Sequence, residues 1–122
     1  MCIKKDSSKL LQNGLWVREK SRIQLVPYES ITHIYHRNGF SRVHMGMELL
    51  KILRTPLSSL EQIMPPEQFF RTHRNYIINR SFIDKYDSGE TLIHFICGQK
   101  IPVSRRKKRH FESFLEHPDT MN

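Results

Sequence analysis

ITHIYHRNGFSRVHM, residues 31–45, is the stretch whose reading decides the class of the fold. Ile31, His33 and Tyr35 alternate with Thr32, Ile34 and His36, the two-residue period of a strand whose faces differ. Asn38-Gly39 follows, and both residues tolerate the positive φ that two-residue hairpin turns require. SRVHM then returns as the partner strand. The stretch therefore predicts a β-hairpin, and its neighbours read the same way. Upstream, LWVR and RIQLV are separated by the turn-like EKS; downstream, ELLKILR follows Gly46.

The helical period appears twice. Pro56 suits the first turn of a helix, and Leu57, Leu60, Ile63 and Met64 then recur at helical spacing until Pro65-Pro66 stops them. Next come FFRTH, the compact NYIINRSFI, IDKYD, the Ser88-Gly89 turn, TLIHFI, the Cys97-Gly98 turn and KIPVS. The last two strands predict a hairpin with Ile93 and Phe95 on one face. Ser104 is a suitable N-cap for a closing helix whose apolar stripe is Phe111, Phe114 and Leu115. The expected fold is mainly β, stacked sheets with two short helices.

At 122 residues the chain has room for one domain. Residues 1–13 and 117–122 read as polar tails around a domain at 14–116. Twenty Lys and Arg against twelve Asp and Glu leave +8, which favours an anionic macromolecular partner. The surplus is concentrated: Arg71 to His110 hold ten Lys or Arg and three acids, a local excess of +7. Cys2 and Cys97, far apart and one in a polar tail, do not suggest a disulfide framework. The N-terminus lacks an apolar core of signal-peptide length, and no run approaches the roughly 20 apolar residues of a spanning helix. A cytoplasmic protein without membrane insertion is the expectation.

Two basic stretches could carry function. FFRTHRNYIINR (69–80) interrupts an apolar segment with Arg71, His73 and Arg74. IPVSRRKKRHFESFL (101–115) puts five consecutive cations, Arg105 to Arg109, at the start of a helical pattern. A helix N-terminus already carries about half a positive charge, so cations belong at the other end. The inversion makes sense if an external anion sits there, bonded by the free N–H groups of the first turn. The bland alternative is a solvated charge run, with His73 satisfied by a backbone carbonyl.

These two stretches, in order and about twenty residues apart, resemble the LytTR DNA-binding domain found in many bacterial response regulators. The ITHIY strand, the SRVHM hairpin and the LSSLEQIM helix follow the same family order, so the resemblance covers about residues 14–116. It implies an elongated β fold that reads DNA through loops, with side chains entering successive major grooves. Carried over by position, the base-reading candidates are Arg74, Arg105 and one hairpin residue, Ser41 or Arg42. NGFSR departs from any diagnostic pattern, which leaves the choice between those two open. Phosphate contacts are expected from Arg37, Asn38, Arg71, Asn75, Ser104, Arg106, Lys107 and Lys108. The chemistry agrees: an arginine fork matches guanine O6 and N7, while lysines act as point charges towards phosphates.

The expected function is a sequence-specific regulator of transcription on double-stranded promoter repeats, possible second copies included. The alternative is a non-specific or RNA-directed binding module, which would need exposed aromatics for base stacking. No cofactor, metal or catalytic group is expected. His33 and His36 are three apart, and on a strand they face opposite sides, a poor metal geometry. His94 and Cys97 lack an oxyanion hole or a third orienting group.

Overall fold

The computed structural model describes residues 13–116, and the segments 1–12 and 117–122, where most of the two expected tails lie, are outside that range. Among the described residues, β1 (Gly14–Glu19) and β2 (Arg22–Pro27) form an antiparallel hairpin. A five-stranded antiparallel sheet follows, with β3 (His33–Arg37), β4 (Phe40–Met45), β5 (Glu48–Leu53), β6 (Phe69–His73) and β7 (Tyr76–Asn79) in the order β5-β4-β3-β7-β6. A third sheet has the order β10-β9-β8, from β8 (Ile83–Asp87), β9 (Leu92–Phe95) and β10 (Lys100–Pro102). Helix α1 (Leu57–Ile63) links β5 to β6, and α2 (Lys108–Leu115) closes the described chain. This is the mainly β architecture with stacked sheets and two short helices that the alternation predicts.

The central sheet is packed on both faces, and its register says how. Ile34 lies opposite Val43 and Ile77, so these three side chains share one face. They meet Leu15, Val17 and Val26 of the first hairpin and Leu57 and Leu60 of α1 in one buried cluster. His33, one residue earlier, lies opposite His44 and Ile78 on the other face. Ile78 there joins Ile93, Phe95, Ile101, Val103 and Phe111 in a second cluster. Each fully buried aliphatic or aromatic side chain contributes about 1.5–3 kcal/mol over exposure. A register slip of one residue would exchange the two faces.

Helix α1 corrects two details. Pro56 stands at the cap, with φ −70° and ψ 157°, outside the first turn. Leu57, Leu60 and Met64 turn inward, whereas Ile63 is 63 % exposed. The helix is stopped as expected: Met64 is extended, with ψ 146°, because Pro65 disfavours the helical region for the residue before it. Ser104 also behaves differently from its expected role. It precedes a short 3-10 turn, Arg105–Lys107, without a side-chain capping bond, and α2 begins only at Lys108. Phe111 is fully buried and packs edge-on against Phe70 and Tyr86, with centroids 5.4 and 5.1 Å away.

Two buried polar residues hold the layers. Asn79 is fully buried; its amide donates to the carbonyls of Tyr28 and Ile31 at 3.2 and 2.8 Å, and its oxygen accepts the Ser81 N–H at 2.9 Å. It thus ties the crossing from β2 to β3 onto the end of β7. His33 stacks on His44, with centroids 4.7 Å apart and planes 3° from parallel. Burial, and then the neighbouring His44, push the His33 imidazole down to about 4. His36 points the other way, with its Nδ1 2.9 Å from the Ser41 hydroxyl. Among the described residues no helix is long and apolar enough to cross a membrane.

Candidate nucleic-acid interface

The hairpin turn between β3 and β4 is Asn38-Gly39, with φ of 52° and 82°. Both values are positive, as the right-handed twist of a two-residue hairpin requires. The turn between β6 and β7 is Arg74-Asn75, and the His36 N–H donates to the Asn75 carbonyl at 2.8 Å. That bond sets the two turns side by side at one end of the sheet. Arg71 braces the second turn from below: its guanidinium donates to the Arg74 carbonyl at 2.8 Å and meets Glu61 at 3.4 Å. The Asn75 N–H donates to Nδ1 of His73 at 3.2 Å, so that ring nitrogen is the unprotonated one.

The second basic stretch arrives at the same end. The Ser104 N–H donates to the Thr72 carbonyl at 2.8 Å, which seats the Arg105–Lys107 turn beside β6. Together the two stretches line one shallow pocket of about 390 Å³, made by Arg71, His73, Arg74, Ser104, Arg106 and Lys107. Lys107 leans over the Phe70 ring, 5.9 Å from its centre. Arg74, Arg105, Arg106 and Arg109 are exposed. Among the described residues, neither Arg74 nor Arg105 engages its side chain in an ion pair or hydrogen bond. Cations thirty residues apart in sequence thus form one surface, and an anion bound there would relieve their repulsion. The LytTr DNA-binding domain model matches residues 21–116.

The chain belongs to the LytTR family of DNA-binding domains. It is 30% identical over 102 residues to the sensory transduction protein LytT of Enterococcus faecalis (strain ATCC 700802 / V583), a match covering 81% of this chain. It spans only 42% of that relative's length. The fold is similar to the LytTr DNA-binding domain of a methyl-accepting/DNA response regulator from Bacillus cereus, with a TM-score of 0.71 at 22% identity, over 84% of this chain and 96% of that one.

Within this LytTR domain, the expected site residues divide into three groups. Arg71, Arg74, Ser104, Arg106 and Lys107 come together around the pocket. Arg37 and Asn38 are exposed at the adjoining hairpin turn, Arg105 is exposed beside the pocket, and Lys108 and Asn75 are half-buried. Ser41 is a correction. It is fully buried, its hydroxyl donates to the Thr55 carbonyl at 2.6 Å, and it cannot meet a base edge. The reason lies in the alternation of β4, where Ser41 shares its inward face with Val43 two residues on. Arg42 is on the other face, half-buried, with its fork folded back onto the Arg37 carbonyl at 2.8 Å and the Phe40 carbonyl at 3.4 Å. Contact with a base requires that fork to let go of the hairpin backbone. Sequence reasoning weighed His36 only as a poor metal ligand and did not single out Thr72, yet the main-chain bonds of both bring the loops together. Backbone partners leave no trace in side-chain chemistry, so no signal in the sequence marked them.

Proposed function

We propose that this LytTR domain is a sequence-specific regulator of transcription that reads double-stranded DNA through the exposed forks of Arg74 and Arg105. The observation that carries the reading is the convergence of two basic loops on one end of a β framework. Arg106, Lys107, Lys108, Arg37, Asn38, Asn75 and Ser104 surround the two forks as phosphate contacts, and Arg71 holds the Arg74 turn in place. A bidentate arginine on guanine is worth about 1–3 kcal/mol of discrimination, and each phosphate contact adds affinity without sequence preference. The single-stranded or RNA-directed alternative has less support. Phe69 is buried and Phe70, Tyr76 and Phe82 pack against the core, so these rings are not free to stack on bases. Promoter repeats occupied by two copies, in a cytoplasmic setting, complete the reading.

The test is binding to a duplex recovered by in vitro selection, compared with random duplex. Arg74→Ala and Arg105→Ala should each cost about 1–3 kcal/mol on the selected site and much less on random DNA. Lys107→Ala should weaken both alike and reduce the salt slope by about 0.9. Selection that enriches no motif, or equal losses on both duplexes for all three variants, refutes base reading.

A further inference from the structure

Away from the basic pocket, β1, β5 and α1 enclose an open groove of about 480 Å³. Its apolar lining includes Trp16, Ile52 and Ile63, which are 63 %, 52 % and 63 % exposed. Each is outside for a definite reason. Leu15 and Val17 take the inward positions of β1, so Trp16 must face out. Ile52 lies opposite Arg42 on the sheet face away from the first core cluster. On α1, Leu57, Leu60 and Met64 form the buried stripe and leave Ile63 on the solvent side. Three large apolar side chains gathered at one groove, with a polar rim, are the mark of an interaction surface.

The rim is cationic. Arg18 and Arg54 both border the groove. Among the described residues the ion pairs are Lys51 with Glu19 and Arg71 with Glu61, so neither rim arginine has a carboxylate of its own. Arg54 is held in place over the Phe40 ring, 5.8 Å from its centre. We propose that this groove docks an acidic, amphipathic segment of another protein, with its apolar side chains on Trp16, Ile52 and Ile63 and its carboxylates on Arg18 and Arg54. A second copy fits poorly. In a two-fold contact the same patch meets itself, which would set arginine rim against arginine rim on chains that each carry +8. A phosphate backbone could meet Arg18, Arg54 and Thr55 but offers nothing apolar to cover Trp16, Ile52 and Ile63. The inference goes beyond DNA reading and does not rest on it.

Trp16 is the chain's one tryptophan, so its emission reports occupancy of the groove directly. The full chain is titrated with three synthetic probes: a helical peptide of leucine and glutamate, its counterpart with lysine for glutamate, and polyglutamate. Only the first should move Trp16 emission to shorter wavelength and saturate. Arg18→Glu combined with Arg54→Glu should weaken that response at least about tenfold, through like-charge contact. Ile63→Ser, an exposed position, should weaken it as well. Circular dichroism checks the fold of both variants, and the wild-type probe series decides the matter even if a variant is unstable. No saturable shift, or an equal response to the lysine peptide, overturns the proposal. A shift that grows with protein concentration alone would assign the groove to a second copy. Displacement of the peptide by duplex DNA with the same shift would assign it to the nucleic-acid interface. Either outcome overturns it too.

Discussion

Acid should weaken this fold through His33, because burial disfavours its protonated ring. The side chain is 4 % exposed, stacked on His44 and 5.8 Å from Phe95 between centroids. Burial first, then His44, lower it from 6.5 to about 4. Between those values the unfolded chain holds a proton at this site that the folded chain refuses, so stability rises with pH across the window. The contribution is complete above pH 6.5 and is lost as pH falls towards 4. Two and a half units at 1.36 kcal/mol each make about 3 kcal/mol. His44 is also lowered, by burial and then by Arg42, and adds to the loss in the same direction. Urea denaturation at pH 7, 6, 5 and 4 measures the effect. His33→Phe keeps a ring against His44 and Phe95 but has no proton to gain. Subtracting its pH profile from that of the wild type removes the carboxylate background common to both. The difference should shrink by about 3 kcal/mol on going from pH 7 to pH 4. Parallel profiles for the two proteins would refute the assignment of the acid sensitivity to this imidazole.

Two further perturbations test the framework that carries the loops. Asn79→Ala removes three hydrogen bonds from a fully buried site and strands the Ile31 carbonyl and the Ser81 N–H, while the Tyr28 carbonyl keeps the Ile31 N–H; a loss of about 2–4 kcal/mol in urea is expected, and less than about 1 kcal/mol would show that water replaces the amide. At Gly39, φ is +82° and an added Cβ would meet nothing within 4 Å, so Gly39→Ala should cost about 1 kcal/mol through backbone strain alone. Gly39→Asn should recover part of that in thermal melts, because asparagine tolerates the left-handed region; an equal cost for both would mean that something other than φ is at work.

The legible part of this fold is the part governed by period. Alternation in ITHIYHR and SRVHM, with Asn38-Gly39 between them, specified β3, β4 and their turn, because side-chain polarity follows the pleat. Leu57, Leu60 and Met64 likewise marked α1. The candidate site was legible only as composition: both basic stretches were visible, and five of the residues they offered line one pocket. What could not be read was orientation at the margins of elements. Ser41 looked like a polar hairpin residue free to meet DNA, and only the register with Val43 and the carbonyl of Thr55 turns it inward. Arg42 looked equally available, yet it is spent on two backbone carbonyls. The run Arg105 to Arg109 read as the start of one helix, whereas a 3-10 turn intervenes before Lys108.

That intervening turn bears on how the proposed DNA-reading surface is assembled from loops. The bonds that bring the three loops together are main-chain bonds: His36 to Asn75, and Ser104 to Thr72, both at 2.8 Å. These bonds use only main-chain amides and carbonyls, so the exposed side chains of Arg74, Arg105 and Arg106 are left out of the folding problem. Exposed arginines of this kind contribute little to stability, and crowding them costs the free protein repulsion that an anion then removes. Stability and recognition are thereby divided. Buried groups such as Asn79 and His33 decide whether the framework holds, and under the proposed function the loop arginines decide what it binds. Replacing an exposed loop arginine should therefore leave the urea midpoint where it was while binding falls, whereas Asn79→Ala should lower the midpoint and leave the preference between duplex sequences unchanged in whatever fraction stays folded.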